Sequence, residues 1–517
     1  MKTLKYIISA FVFAAGLTAC VGDLDVTPID PSVNTAEKAF TSEDDFVSFL
    51  AQCYAGFTHS GSYGPNGDNN IKNVDGGFSQ YYRGRYHLNG LTTDEATVLW
   101  GDIGLQDLHG MYWTTQNSFV SSFYYRVFYQ ISVCNEFLRQ LNKTTLELPD
   151  ADKWIAEIRT IRALCYNDAI DMFGNVPFAD ETAPVGAYLP EQISREDLFT
   201  YIETELTDVI KGNDLFEIGE APYGRMDKGA AIMILAKLYL NAKVYIGEDR
   251  YQDCADVLAK LDGKYSLHDN YQELFLADND RLVGKGKEII WAVQQDGENT
   301  QSYGVTNYLI FASTGGETMT ASDLGISSGW GGIRTTQQFY DLFKAGDARE
   351  LFWEEGHQKD VVDILNWKHG YGFQKFKNIK SDGTPGKSQG FVDTDFPVFR
   401  YADVLLMLAE CGLNGATLTG SYTSGQAAFD AVRERAGMES IVLNEKNLLD
   451  ERGRELYLEG WRRSDLIRFG KFTSGYNWAW KGGIAEGKET VSSHLALFPI
   501  PESDKNANPN LVQNTGY

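Results

Sequence analysis

The sequence predicts a mainly α protein, a scaffold of paired helices that carries long irregular segments. Three observations predict it. Apolar residues recur at helical spacing over several stretches, Gly and Pro punctuate their ends, and the segments 60–125 and 296–400 are rich in Gly, Asn, Ser and aromatics without a period.

Taken in order, Trp154 to Met172 places Ile155, Ile158, Ile161, Leu164, Cys165 and Met172 on one helical face. Phe173-Gly174-Asn175-Val176-Pro177 stops that helix, with Gly at its end and Pro beyond. Residues 228–245 repeat the style with small residues that allow close packing. A further pair covers 402–412 and 425–436, and 446–469 is again helical. The style is that of tetratricopeptide hairpins, although no clean period of ~34 residues repeats. The two irregular segments are too long for bare connectors, and long ordered loops on a rigid scaffold are where binding is usually found.

Composition narrows the function classes. Of 517 residues 43% are apolar, enough for a large core, and the formal charge is −25. Such a chain repels phosphate backbones, which excludes nucleic acid as a partner, and gains nothing from anionic lipid. A neutral ligand is unaffected. Polysaccharide is the largest neutral class, and 28 Tyr, 29 Phe and 10 Trp suit it.

The N-terminus reads as targeting. Lys2 and Lys5 precede an apolar run, Tyr6 to Leu17, too short to span a membrane as a mature helix. Leu17-Thr18-Ala19-Cys20 then has the form of a lipoprotein processing site. The expectation is a signal peptide over 1–19, an acylated Cys20, and an acidic tether from Val21 to Pro28. The other cysteines, Cys53, Cys134, Cys165, Cys254 and Cys411, contain no CxxC and are odd in number, which predicts buried free thiols.

Seven stretches, in chain order, carry a family resemblance. They are CVGDLDVTPIDP, AEIRTIRALCYNDAIDMFGNVPF, APYGRMDKGAAIMILAKLYLNAKVY, DTDFPVFRYADVLLMLAE, ELYLEGWRRSDLIRFGKF, WAWKGG and PIPESDKNANPNLVQNTGY. The chain resembles the SusD/RagB family of outer-membrane nutrient-binding lipoproteins from Cys20 to Tyr517. The resemblance implies a tetratricopeptide-like scaffold with inserted irregular loops, one domain over 20–517, a lipid-anchored outer-membrane location, and partnership with a SusC-like TonB-dependent transporter. The acidic residues after Cys20 are the basis for expecting the anchored protein to face outward.

Charged residues in these stretches read as scaffold. Arg162, Arg400, Arg452, Arg454, Arg462 and Arg463 lie among Asp171, Asp403, Glu455, Glu459 and Asp465 on predicted helices, an arrangement for ion pairs between hairpins.

Binding chemistry is sought elsewhere. Residues 81–113 crowd aromatics, Arg83, Arg85, Asn89 and acids into a stretch without helical period. Sugar rings present apolar C–H faces and hydroxyl rims, matched by flat aromatics and by Arg, Asp or Asn. Trp100, beside Gly101 and Asp102, is the leading platform. Tyr303 in Gln301–Gly304 and Trp330 in Ile326–Gly332 each stand among small residues that leave a ring unobstructed. Resemblance to a starch-binding relative in the family places an aromatic arc on Trp100, Tyr303 and Trp330. It also places a hydroxyl-binding Arg on Arg83. A further Trp of that arc is Val98 here, and an Asn contact falls near Asp102. The ligand implied is starch or another α-glucan.

Three alternatives stand beside this reading: another glycan, a peptide, and hydrolysis of the glycan. An endo-acting glycosidase needs two suitably spaced carboxylates; Asp94, Glu95 and Asp102 are the nearest candidates. No HExxH or P-loop occurs and the seven His are scattered. The expectation is a binding protein without catalytic residues or a required cofactor. Asp278 and Asp280 in Ala277-Asp278-Asn279-Asp280 open like a calcium loop but lack its continuation. A solvated capping turn is the competing reading, with a structural calcium as the family-based one.

Overall fold

The computed structural model describes residues 39–66, 69–186 and 188–517. The signal segment, Cys20 and the acidic tether lie outside the described residues. The helices that position the rest are α1 (Glu43–Ala55), α2 (Tyr81–Asn89), α3 (Ser118–Lys143), α4 (Ala151–Met172), α5 (Arg195–Lys211) and α6 (Lys228–Leu240). They continue as α7 (Tyr251–Leu258), α8 (Val305–Ser313), α9 (Tyr401–Leu413), α10 (Gly425–Arg435), α11 (Glu445–Leu456) and α12 (Arg462–Arg468).

Helices consecutive in the scaffold pack on one another: α3 on α4, α4 on α5, α5 on α6, α6 on α7, α7 on α9, and α9 on α10 and α11. Their starts are written in the sequence. Asn117 accepts from the Phe119 and Val120 amides, and Ser194, Asp227, Ser424 and Asn444 cap α5, α6, α10 and α11 in the same way. At the end of α4, Gly174 takes φ of 73°, the left-handed turn a Cβ resists. The paired-helix expectation holds, with two refinements. Residues 228–245 break at Asn241, whose side chain donates to the Lys237 carbonyl (2.9 Å) in competition with the helix ladder. Residues 446–469 split into α11 and α12 because the Leu458 amide donates to Glu95 (3.0 Å) and φ at Leu458 is 62°.

Stretch 81–113 departs from expectation at its start. Tyr81–Asn89 is α2, and all nine of its residues are buried. A helix covered on every side has no solvent face and therefore shows no amphipathic period.

Four strands place the irregular segments: β1 (Ala96–Val98), β2 (Ile289–Val293), β3 (Ile333–Thr335) and β4 (Phe396–Arg400). β1 pairs antiparallel with β3, Val98 opposite Ile333. β2 pairs antiparallel with β4, so residues 294–395 form one excursion whose two ends meet. The five described cysteines are buried free thiols, as expected.

The ion pairs are mostly inside, and most join separate elements, although Arg454–Glu451 lies within α11 and Arg349–Asp347 is local. Arg400 contacts Glu288 (2.6 Å), Glu455 (2.9 Å) and Glu459 (2.8 Å), and Arg349 contacts Asp347, Glu451 and Glu455. Arg162 pairs with Glu181 and Glu205, Arg452 with Asp403 and Asp465, Arg454 with Glu451, and Arg463 with Asp171. Arg462 reaches out of the helices to Asp94 (2.7 Å).

Candidate functional site

The β1–β3 pair brings two distant loops together, and a third joins them from the start of α8. Beyond β1 the Leu99 amide donates to the Gly332 carbonyl (2.9 Å), and the Trp100 indole N–H donates to the Gly331 carbonyl (2.9 Å). Residues 330–332 are themselves laid along the end of α8, since the Trp330, Gly331 and Gly332 amides donate to Phe311, Thr314 and Ala312 carbonyls at 2.7–2.8 Å. Tyr303 is held by the next turn back, where Ser302 Oγ donates to the Thr58 carbonyl (2.6 Å).

Three half-buried rings meet as a result. Trp100 and Trp330 have centroids 6.4 Å apart at 50°, and Trp330 and Tyr303 are 5.6 Å apart at 86°. The surface curves instead of lying flat. Behind it, Tyr308 supports Trp100 (6.1 Å) and Phe311 supports Trp330 (5.1 Å), both from α8. All nine residues of α8 are buried, so the rings rest on a packed floor. Val305, which opens α8 two residues after Tyr303, sits at φ of 50°, where a β-branched residue is rare. Such strain collects at ligand sites.

The glycines around Trp330 have a reason other than leaving its ring open. A Cβ at Gly329 would stand 2.0 Å from the Thr314 carbonyl oxygen, and one at Gly332 would stand 2.5 Å from the Trp100 ring. They let the chain press against α8 and seat the neighbouring indole.

Arg83 lies beneath the rings. It projects from α2, is 9% exposed, lies 4.3 Å over the Tyr308 ring, and donates to the carbonyls of Gly77 (2.6 Å) and Tyr303 (3.0 Å). Burial pushes its guanidinium down to about 10, with Tyr308, Asp102 and Asp75 opposing that. It remains a cation at neutral pH, clamps the backbone of Tyr303, and has an Nε–H without a partner among the described residues. Asp102 is exposed beside Trp100, and Asp75 is exposed on the loop before α2. The structure thus brings Arg83, Trp100, Asp102, Tyr303 and Trp330 to one surface. Tyr308, Phe311 and Asp75 complete it and are absent from the sequence reading, for the first two look like ordinary core in a helical run. Val98 is fully buried in β1 and contributes no ring.

Two of the three acids weighed for hydrolysis, Asp94 and Glu95, are used structurally, and the exposed Asp102 has no second carboxylate beside it among them. Asp94 accepts from Arg462 (2.7 and 2.8 Å) and Tyr476 (2.8 Å) in the interior. Burial pushes Glu95 up to about 7, a shift that the hydrogen bond from the Leu458 amide opposes, and the residue is 1% exposed. Neither reaches an open cleft. Gly325-Ile326-Ser327-Ser328-Gly329 spells G-x-S-x-G, but Ser327 lies after a 3₁₀ turn and donates to the Gln389 carbonyl, not on a strand-to-helix elbow. Asp278 accepts from Ser381 and Arg281, as a capping turn does, and Asp280 is exposed. Among the described residues no group of three or more His, Cys, Asp or Glu is placed to hold a metal ion. Nor is any described helix long and apolar enough to cross a membrane. A cavity of about 550 Å³ between α11 and residues 338–342 shares none of the aromatic surface residues.

Fold and surface together define a stacked-helix scaffold that displays an open, curved aromatic surface on its loops. A family model described as the SusD family matches residues 349–517. Starch-binding protein SusD of Bacteroides thetaiotaomicron is 34% identical over the whole of both chains. The chain belongs to the SusD family. Surface glycan-binding protein A from Bacteroides fluxus shares its fold, with 22% identity, a TM-score of 0.71, and coverage of 92% of this chain and 100% of that one. The same holds for surface glycan-binding protein A from Bacteroides thetaiotaomicron in complex with laminarihexaose, with 18% identity, a TM-score of 0.70 and the same coverage.

Proposed function

We propose that this chain is a lipid-anchored surface glycan-binding protein that captures starch or maltooligosaccharide and delivers it to a SusC-like TonB-dependent outer-membrane transporter. The observation that supports the reading is the run of three adjoining rings, Trp100, Trp330 and Tyr303, set at 50° and 86° to one another and so not flat. Full-length similarity to a starch-binding relative supports the same ligand class. Stacking one sugar buries on the order of 100 Å², roughly 2.5 kcal/mol gross at 25 cal/mol/Å². Three rings offer roughly 7 kcal/mol before several kcal/mol of ordering cost, which leaves ~millimolar to tens-of-micromolar affinity. Acylated Cys20 holds the protein at the outer membrane, where proximity to the transporter raises effective concentration. No catalytic group is assigned.

A second glycan class enters because a structural neighbour is a laminarihexaose complex. Calorimetric titration of the protein starting after Cys20, with maltoheptaose and laminarihexaose side by side, separates the two. Maltoheptaose heat that is lost in Trp330→Ala, with the fold retained, supports the proposal. Heat with laminarihexaose alone replaces the ligand, and heat with neither removes the glycan reading.

A further inference from the structure

The aromatic surface does not stop at Tyr303. Phe391 has its ring centroid 6.0 Å from that of Tyr303, with the planes only 24° apart. The two rings therefore face nearly the same way, whereas Trp330 stands across Tyr303 at 86°. Phe391 is half-buried, and Tyr303 is the one aromatic ring it meets among the described residues. Its neighbour Val392 is 2% exposed, so the chain alternates and sends Val392, not Phe391, to the core.

The loop that carries Phe391 is fixed to the loops that carry Trp330 and Tyr303. On the Trp330 side, the Ser327 amide (3.0 Å) and Oγ (3.3 Å) both donate to the Gln389 carbonyl. On the Tyr303 side, Lys387 pairs with Asp296 (2.6 Å) and the Gly297 amide donates to Asp393 (2.8 Å). Gly297 is packed so closely that a Cβ there would stand 2.6 Å from the Phe391 carbonyl oxygen. A half-exposed phenyl on a loop so fixed is a preorganised stacking face, at little ordering cost on binding.

At the other end Val98 is buried in the β1–β3 pair, and the exposed residues that follow Trp100, Gly101, Asp102 and Ile103, carry no ring. Further aromatic contact with a longer ligand is available at the Tyr303 end. We infer that Phe391 is a fourth ring of the glycan-binding surface and the residue that reads ligand length. The inference rests on the glycan-binding reading above. Its ligand is an oligosaccharide long enough to lie on Trp100, Trp330, Tyr303 and Phe391 together, and a short one gains nothing from the fourth ring.

Titration of wild type, Phe391→Ala, Phe391→Leu and Phe391→Trp with maltotriose, maltoheptaose and laminarihexaose tests this. Both Phe391→Ala and Phe391→Leu are expected to weaken the longer ligand that wild type binds by about tenfold, which is ~1.4 kcal/mol. Maltotriose affinity is expected to stay within about twofold and Phe391→Trp to bind at least as tightly as wild type. Phe391→Leu keeps most of the buried volume and loses the flat face, so it separates stacking from folding should Phe391→Ala melt early. Unchanged affinity for the long ligand overturns the inference alone, and Phe391 is then a cover for Tyr303. Equal weakening of short and long ligands also overturns it, since Phe391 then acts through Tyr303. Wild type that binds no glycan of either linkage overturns the glycan reading along with it.

Discussion

Arg400 and Arg83 are both guanidiniums withdrawn from water, and they are held in opposite ways. Arg400 is surrounded by the carboxylates of Glu288, Glu455 and Glu459, each buried, with Arg349, Arg435 and Lys375 sharing the same acids. Arg83 has no carboxylate in contact, only two carbonyls and the face of Tyr308. A cation compensated on every side locks helices together and presents nothing to a ligand. A cation held by carbonyls and a ring stiffens a loop and keeps bonding capacity toward the surface. The scaffold and the site use the same residue type, and the counter-charge distinguishes the two uses.

The largest effect is expected where compensation is densest. Glu455→Gln leaves Arg349, Arg400 and Arg435 short of a buried carboxylate and is expected to cost about 3–5 kcal/mol in urea unfolding. A cost under 1 kcal/mol there would erase the distinction. Acid tests the same cluster without mutation. Against the upward push of burial, Arg349 and Arg454 hold Glu451 down to about 2, from an unfolded value of 4.5. A depressed carboxylate contributes stability that is present above 4.5 and lost as pH falls toward 2. That loss is on the order of 3 kcal/mol, read from melts at pH 2 to 6, and Glu451→Gln should flatten it.

Two smaller predictions address the site. Val98→Trp adds the further ring that the family resemblance implies for this position, but the position is buried in the β1–β3 pair. It is expected to destabilise by about 1–3 kcal/mol through overpacking, with no gain in glycan affinity by calorimetry. Arg83→Lys keeps the charge but loses the planar stack on Tyr308 and the placement of Nη1 between two carbonyls. Glycan affinity is expected to fall about fivefold, ~1 kcal/mol, with the melting temperature within a few degrees of wild type.

Much of this was legible in the sequence, unevenly. Helix α4 announces itself by spacing and by Gly174, and α3, α5 and α6 by Asn117, Ser194 and Asp227 at their starts. Helix α2 does not, because it has no wet face to impose a period. Trp100, Tyr303 and Trp330 stand out as aromatics among small residues, although Gly329 and Gly332 serve close packing instead of exposure. Tyr308 and Phe311 were invisible as supports, because their part depends on the β1–β3 pairing that draws residues 99–100 against 330–332, 231 residues apart for Trp100 and Gly331. Phe391 follows a Gly as Trp330 does, yet only its nearness to Tyr303 gives it meaning.

The meeting of β2 and β4 has a consequence for how such a protein diversifies. Tyr303, Trp330 and Phe391 all belong to the stretch between those two strands, while α3 to α7 and α9 to α12 are encoded outside it. A stretch whose entry and exit are clasped together can lengthen, shorten or be replaced with little disturbance to the clasp. Selection can thus alter three of the four rings by rewriting loops within one contiguous piece of gene, while Trp100, Arg83 and the buried partners of Arg349 and Lys375 stay as they are.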